Sequence, residues 1–292
     1  MYFLTFLSAL FLPLNNIGAK LNKTDGSAKV LSIAFLVGLA GVISWCVCLF
    51  CKQTVTKDMF LYALLFALFY IVGTMCGLTA YQKGSLSGTS LFGNASLVVV
   101  VLFSTLYFKE PLTPISIIGV LGVLTALVLL SLPDEKPSND EKRGFNFVWL
   151  LLCIGMLACN SLISICSKLR QTSAGGENAF AFMAVCFTFT FVLSIITYAV
   201  WQIKNRSAKD DFLSLKNSLC PLCVQAVGNT GSNLLVTFLA SRVNASILYP
   251  VNMGGGLVIT VLCGFIFFKD KPNLKNIVGI LLGITAMILL NL

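Results

Sequence analysis

The chain has 292 residues, of which 57% are hydrophobic and only 11% are charged. Soluble proteins carry about 25% charged residues, so this composition excludes a water-soluble domain and indicates a polytopic membrane protein. The net charge of +9 does not indicate nucleic-acid binding, because Lys and Arg stand singly between apolar segments, as flanks of membrane spans do. The chain contains no His, which excludes His-based catalysis and His-ligated metal.

About ten apolar spans follow one another, each near the 20 residues needed to cross a hydrocarbon core of ~30 Å. The first lacks the basic start and the cleavage site of a signal peptide, so we predict that it is a retained helix. Because the spans lack period-2 alternation and every backbone group must be paired inside lipid, the predicted fold is all-α. The spans cover residues 1–19, 30–51, 59–80, 86–108, 112–132, 147–169, 178–201, 218–240, 244–268 and 273–292.

A long polar connection at residues 133–146 divides the chain in its middle. It predicts a first five-helix repeat at residues 1–132 and a second at residues 147–292. A second polar connection, from Lys204 to Lys216, joins the seventh and eighth spans.

The last two spans of each half are similar in sequence. Residues 97–132 align without a gap on residues 257–292, and the hinge Phe108-Lys109-Glu110 falls on Phe268-Lys269-Asp270. Gly119 and Thr125-Ala126 recur as Gly279 and Thr285-Ala286. Since five is odd, homologous five-helix halves must cross the bilayer in opposite senses. Such inverted repeats are typical of secondary transporters, whose substrate site lies near the midplane between the halves.

These features resemble the drug/metabolite transporter superfamily, in its ten-helix form. In each half the fourth span follows the third after a short turn, ends at the aromatic-basic-acidic hinge and is followed by a Gly-rich fifth span. Tyr249-Pro250 matches the Pro that members carry early in the ninth span. The resemblance implies movement of a small molecule by alternating access, in import or export, and leaves the substrate open.

Amides inside the spans are the candidate binding residues, because an unpaired amide in hydrocarbon costs roughly 4–8 kcal/mol on a water-to-cyclohexane scale. In the eighth span three of them recur at i, i+4 and i+8, which places them on one helix face. We expect all the candidates to line one substrate cavity. They are Asn15, Asn16, Asn94, Asn160, Ser164, Gln225, Asn229, Asn233, Tyr249 and Asn252.

The alternative for each of these residues is a hydrogen bond between neighbouring helices, worth only about 0.6 kcal/mol on average. One neighbouring helix can hardly satisfy three amides spread over roughly 12 Å of helix axis, which favours a cavity for the eighth span. Gly254-Gly255-Gly256 is either a close-packing surface or a point where the ninth span loosens.

Charged residues at the span ends have plainer interpretations. Glu110 and Asp270 are expected to be solvated hinge residues, and Glu177 to mark the start of the seventh helix. Lys83 and Arg242 are expected to reach the membrane interface, with an anionic substrate as the alternative partner.

No Asp or Glu lies inside a span, although proton-coupled pumps usually keep an intramembrane carboxylate. Small multidrug members of the superfamily carry a Glu on the first helix, three residues before a Gly, and the resemblance puts Asn15, before Gly18, at that position. Asn15 cannot take up a proton, which argues against exchange of lipophilic cations for protons.

The main hypothesis is therefore a multi-pass cell-membrane transporter for a small polar or zwitterionic organic solute, an amino acid or a related metabolite. A multidrug or anionic-metabolite exporter of the same fold is the alternative. A membrane-embedded enzyme or accessory subunit is a further rival, and an ion channel is a weaker one. We predict no cofactor and no nucleic-acid partner. We also predict no metal, since the eleven Cys lie mostly in apolar runs and act as small hydrophobes.

Two arguments about orientation disagree. Connections after the odd-numbered spans carry most of the Lys and Arg, which by the positive-inside rule places them in the cytoplasm and both termini outside. The superfamily resemblance implies the opposite, with both termini in the cytoplasm.

Overall fold

The computed structural model describes residues 1–22, 24, 27–83, 86–110, 113–131, 147–174, 176–205, 208–256, 258–259, 262–263 and 274–290. The central connection 133–146 and the hinge 268–272 lie outside the described residues. Within the described ranges every regular element is a helix, so the all-α prediction is confirmed.

Eleven helices succeed one another along the described chain. They are α1 (Tyr2–Leu21), α2 (Ser27–Phe50), α3 (Asp58–Lys83), α4 (Leu86–Phe108), α5 (Pro114–Ser131), α6 (Phe147–Ser173), α7 (Ala179–Asn205), α8 (Ala208–Asn217), α9 (Leu219–Leu239), α10 (Ala245–Tyr249) and α11 (Leu274–Leu290). A π-helical turn, Pro250–Gly254, continues α10, and residues 255–256, 258–259 and 262–263 are helical beyond it.

Ten of these helices correspond to the ten predicted spans, and α8 is additional. It lies within the connection that we expected to be merely polar. At about 15 Å, from a rise of 1.5 Å per residue, α8 is too short to cross a bilayer. A second difference is the end of α6, which runs through Arg170 to Ser173 and buries that arginine.

Four helical segments in the described part of the chain are long and apolar enough to cross a membrane by length and composition. They are Ser27–Phe50, Asp58–Gly77, Phe147–Ser173 and Ala179–Ile203. Shorter apolar helical stretches are Phe3–Gly18, Phe92–Phe108, Ile117–Ala126 and Ile277–Ala286. The chain is thus an all-α membrane protein with about ten spans.

The helices pack into two compact units. The first comprises residues 1–71 and 166–244, and in it α1 lies along α9 while α2 packs against α7, α8 and α9. Glycines allow the α1–α9 crossing: a Cβ added at Gly18 would lie 2.6 Å from the carbonyl oxygen of Pro221, and one at Gly228 2.7 Å from that of Phe11. Small residues serve this purpose in membrane helix pairs.

The second unit comprises residues 72–165 and 245–292. In it α5 packs along α11, and α4 contacts α10 and its π-helical turn. Glycines again mark the close crossing of α3 and α6, where a Cβ on Gly73 would lie 2.8 Å from Cys159 Cβ and one on Gly77 2.8 Å from Met156 Sδ.

Pairing within the units follows the repeat seen in the sequence. Span two (α2) packs on span seven (α7), span four (α4) on span nine (α10), and span five (α5) on span ten (α11), so each is beside its equivalent. Span one (α1) packs on span eight (α9), and the equivalent crossing joins spans six (α6) and three (α3). Each unit therefore draws on both predicted repeats, whose boundaries at 132 and 147 stay predictions.

Candidate functional site

The amide stripe of α9 forms a chain of hydrogen bonds inside the first unit. Asn233 Nδ2 donates to Asn229 at both its backbone oxygen, 2.8 Å away, and Oδ1, 3.1 Å away. Asn229 Nδ2 donates to Tyr70 Oη on α3 at 3.4 Å. Two of the three amides thus have protein partners, one on the same helix and one on α3. We expected that one neighbouring helix could hardly provide hydrogen-bond partners for all three amides. Two of the amides nevertheless have partners, so this expectation applies to only part of the stripe.

Gln225, the third amide of the stripe, differs from the other two. Its Oε1 is buried and meets no hydrogen-bond partner among the described residues. Its Cβ lies at the crossing with α1, 2.7 Å from the position that a Cβ on Gly18 would occupy. A buried carbonyl oxygen without a donor is costly, so this atom keeps an unused capacity to accept a hydrogen bond.

The two asparagines of α1 occupy different environments. The backbone of Asn15 lies against Gly228 of α9, and its side chain is partly buried. Asn16 is exposed. The α1–α9 crossing therefore places Asn15 within one turn of the Gln225–Asn229 segment.

Other candidates gather in the second unit, around α6. Ser164 Oγ donates to the backbone oxygen of Asn160 at 3.2 Å, and the Ser164 backbone oxygen accepts from Tyr249 Oη at 3.2 Å. Tyr249 is buried. The Asn160 amide lies between α3 and α4, since Cβ atoms added at Gly73 and Gly93 would be 3.6 Å from its Oδ1 and 3.9 Å from its Nδ2.

Asn252, also buried, sits in the π-helical turn that follows Tyr249. Pro250 opens that turn, and proline lacks the N–H that would continue the α-helical ladder. π-Helical turns inside α-helices often occur at functional sites. Gly254 closes the turn against Val123 of α5, where an added Cβ would lie 2.6 Å from Cγ1, so at least this glycine serves close packing. Asn94 is half-buried on α4.

The structure thus brings the candidates together in two groups, each described within its own unit. Asn15, Gln225, Asn229 and Asn233 form one, and Asn160, Ser164, Tyr249 and Asn252 form the other. A common cavity for both groups stays a prediction. Sequence reasoning missed Tyr70, because a tyrosine in an apolar run gives no periodic signal.

Tyr70 also belongs to an aromatic cluster. Its ring stacks on Phe66 with centroids 5.9 Å apart, and Phe66 meets Phe187 edge-on at 6.4 Å. Phe66 and Phe187 are buried, so the cluster fixes the position of the hydroxyl that Asn229 contacts.

Charged residues at the span ends make more contacts within the protein than the sequence predicted. Glu110 Oε2 accepts from the backbone N–H of Ala245 at 2.7 Å, so it caps α10 instead of being merely solvated. Arg242 lies over the Phe238 ring at 4.0 Å, is exposed as expected, and donates to the Gly176 carbonyl at 3.0 Å. Lys168 is buried on α6.

The cysteines are all free thiols, and those at 46, 51, 220 and 223 are exposed. Two pairs, Cys48/Cys51 and Cys220/Cys223, have the C-x-x-C spacing, so an interpretation of the cysteines as lacking such pairs is wrong. No group of three or more Cys, Asp or Glu side chains able to hold a metal ion occurs within the described ranges.

Comparison with known proteins agrees with this fold. Residues 1–132 match the model of the EamA-like transporter family. The predicted relation to the drug/metabolite transporter superfamily is therefore confirmed, and the protein is a membrane transporter.

Two further similarities extend the comparison. The multidrug resistance protein EbrA of Bacillus subtilis (strain 168) is 28% identical over 71 residues, which cover 24% of this chain and 68% of EbrA. A crystal structure of a protein with 14% sequence identity superposes with a TM-score of 0.74, covering 100% of this chain and 98% of the other. At this identity the second similarity shows the fold alone.

Proposed function

We propose that the protein is a secondary transporter that moves a small polar or zwitterionic organic solute, an amino acid or a related metabolite, across the cell membrane by alternating access. The observation that carries the proposal is the amide stripe of α9, whose Gln225 Oε1 is buried without a donor among the described residues, beside the Asn229–Tyr70 pair. Uncharged donors and acceptors of this kind suit a solute with no net charge. The pairing of equivalent spans supports an inverted repeat.

A multidrug exporter is the second candidate, favoured by the similarity to EbrA. In the small multidrug transporters that the sequence resembles, a first-helix Glu exchanges protons for cations. Asn15 stands at that position here, and its backbone is packed against Gly228 of α9. A helix crossing without a carboxylate favours the neutral or zwitterionic solute.

The proposal is tested by uptake into proteoliposomes that contain the full chain, with amino acids, related metabolites and a lipophilic cation offered in turn. We expect saturable flux of a polar solute. Saturable flux of the cation alone would replace the proposal by the multidrug alternative. The absence of flux for every polar solute would contradict it.

The variant Asn229→Leu tests the site once a transported solute is known. We expect flux to fall at least about tenfold, equivalent to about 1.4 kcal/mol of lost interaction. Because Asn229 also bonds with Tyr70 and Asn233, the Tm of the purified protein must be measured alongside. Tyr70→Phe removes the hydroxyl partner and leaves Asn229 in place, and Tyr62→Phe, two turns earlier on α3, is the matched control.

The two roles of Asn229 give different patterns. If Asn229 binds solute, Asn229→Leu reduces flux per folded molecule, and Tyr70→Phe changes the apparent KM. If it only joins helices, both variants lower Tm, and flux per folded molecule stays at the wild-type value. The second pattern would contradict the assignment of the stripe to the solute path.

A further inference from the structure

The helix α8 lies in the segment that the sequence predicted to be a polar connection. Its inner face packs against the protein, and its outer face is exposed. Its inner face is held by Asp211, a carboxylate only 5% exposed. Ser27 Oγ donates to Asp211 Oδ1 at 2.7 Å, Tyr198 Oη donates to Oδ2 at 3.2 Å, and Gln202 Nε2 also donates to Oδ2. These bonds come from α2 and α7, so they fix both the position and the rotation of α8.

Leu215, one helical turn after Asp211, continues the inner face. It is buried against Leu31 of α2 and Leu222 of α9, with Phe35 and Tyr198 packed alongside. Residues four apart share one face of a helix, so Asp211 and Leu215 together define the side that meets the protein.

The outer face carries two large apolar side chains that stay exposed. Phe212 is 57% exposed and Leu213 is 61% exposed. Because Asp211 and Leu215 fix the rotation of α8, these two side chains cannot turn inward. Val200 and Ile203, near the end of the membrane-spanning α7, are exposed apolar residues as well.

Basic residues flank this apolar pair in the sequence. Lys209 stands three residues before Phe212, and Lys216 stands three residues after Leu213. Positions 212, 213 and 216 recur at i, i+1 and i+4, which places them on one side of the helix. Lys216 is exposed in the last turn of α8. A face with Phe and Leu beside an exposed Lys is typical of helices that lie in the membrane interface.

We infer that α8 is an interfacial helix that lies on the bilayer surface and binds anionic phospholipid. Phe212 and Leu213 enter the boundary between headgroups and acyl chains, and Lys216 contacts a lipid phosphate. A lipid with a net negative headgroup fits better than a zwitterionic one, because each Lys near an anionic surface contributes about 1 kcal/mol. This inference concerns the lipid environment and does not depend on which solute is transported.

Tryptophan fluorescence in nanodiscs tests the position of α8. The native Trp45, Trp149 and Trp201 are replaced by Phe, and Phe212→Trp is introduced into the full chain. Phosphatidylcholine brominated near the top of its acyl chains is expected to remove about half of the fluorescence of this residue, as for an apolar face buried ~5–10 Å deep. Leu213→Trp serves as a second reporter, and Asp210→Trp, off the outer face, is the matched control with weaker quenching.

Headgroup preference is measured with the same reporter by exchanging brominated phosphatidylcholine for brominated phosphatidylglycerol. We expect stronger quenching by the anionic lipid, with the difference reduced about fivefold by Lys216→Gln, the equivalent of about 1 kcal/mol, and reduced also by high salt. Lys57→Gln, an exposed lysine outside any helix, should leave the preference unchanged.

Three results would overturn the inference. Accessibility of both reporters to aqueous acrylamide without lipid quenching would show that α8 faces water. Protection from both quenchers would show a protein contact instead of lipid. Equal quenching by the two lipids, unaffected by Lys216→Gln, would remove the anionic headgroup from the proposal.

Discussion

At Gly228 the absence of a side chain allows two membrane helices to pack closely against each other. A Cβ at this position would lie 2.7 Å from the Phe11 carbonyl oxygen and would also meet the backbone nitrogen of Asn15. Both are main-chain atoms, which can move only if α1 moves. The crossing of α1 and α9, and with it the place of Asn15 beside the amide stripe, therefore depends on glycine here.

Gly228→Ala is expected to lower stability by about 1–3 kcal/mol, the usual cost of forcing atoms into a packed site. Thermal unfolding of the detergent-purified protein measures this as a lower Tm. Gly41→Ala in α2 is the control, because its added Cβ would meet Phe187 Cβ at an ordinary 3.7 Å. An unchanged Tm for Gly228→Ala would mean that α1 and α9 are not in contact as described.

Sequence periodicity located the amides of α9 but could not supply their partners. Spacing at i, i+4 and i+8 places three residues on one face, yet it contains nothing about Tyr70, which comes from a different helix and lies 159 positions from Asn229 in sequence. Burial of Gln225 Oε1 without a donor among the described residues is likewise a tertiary fact. The sequence predicted the candidate residues, but it could not predict which of them have hydrogen-bond partners within the protein.

At the scale of helices, the junction of α6 and α7 is organised by a buried arginine. Arg170 is 1% exposed, and its Nη1 donates to the Glu177 carbonyl at 2.7 Å. Its Nη2 lies 3.3 Å from Asp58 Oδ2 and 3.3 Å from Thr56 Oγ1. Gln53 adds to this junction, because its Oε1 accepts from the first N–H groups of α7, at Phe180 and Ala181. The start of α3 and the start of α7 are thereby joined.

Asp58→Asn is expected to destabilise the protein more than its own half-exposed position suggests, because it leaves the Arg170 charge buried with neutral partners only. We expect a loss of about 1–3 kcal/mol, below the 3–5 kcal/mol of a fully buried pair. Adding Arg170→Met, which removes that charge, should recover part of the lost Tm.

The control for this pair is Glu177→Gln, since Glu177 contacts Arg170 through its backbone carbonyl and its side chain is exposed. This change should leave Tm unchanged. If Asp58→Asn and the double variant are equally destabilised, the arginine is not compensated by Asp58 in the way that the geometry indicates.

The membrane-spanning helices were predictable from their apolar runs. Helix α8 was not predictable, and the reason is physical. A ten-residue helix with two Asp in its first turn gives little hydropathy signal. Its stability comes from the inward bonds of Asp211, whose partners on α2 and α7 lie outside the helix itself. Likewise, the predicted sixth span ends at residue 169, just before Arg170, because hydropathy alone cannot indicate that a charge will find acceptors inside the fold.

For the molecule as a whole, contacts between connections agree with ten membrane crossings. Ten crossings place the connections after spans two, four, six and eight on one side, and those after spans one and seven on the other. The N–H of Thr54, after span two, donates to Asn178 Oδ1, after span six. Gly176, also after span six, accepts from Arg242, after span eight. Asp211, after span seven, binds Ser27, between spans one and two.

Two of the exposed cysteines, Cys51 and Cys220, are natural reporters of this arrangement. Cys51 follows span two and Cys220 begins span eight, so ten crossings place them on opposite sides of the membrane. A membrane-impermeant maleimide added to intact cells should label one of them, and permeabilised cells should show both labelled by peptide mass spectrometry. Cys51→Ser and Cys220→Ser identify each modified peptide.

The identity of the residue labelled from outside then decides between the two arguments about orientation. The charge distribution predicts that Cys51 reacts in intact cells, because it places the basic connection before Cys220 in the cytoplasm. The superfamily resemblance predicts Cys220. Labelling of both residues in intact cells would contradict the ten-crossing topology itself, since α2 and α9 could not then begin on the same side of the membrane, as the bond between Ser27 and Asp211 requires.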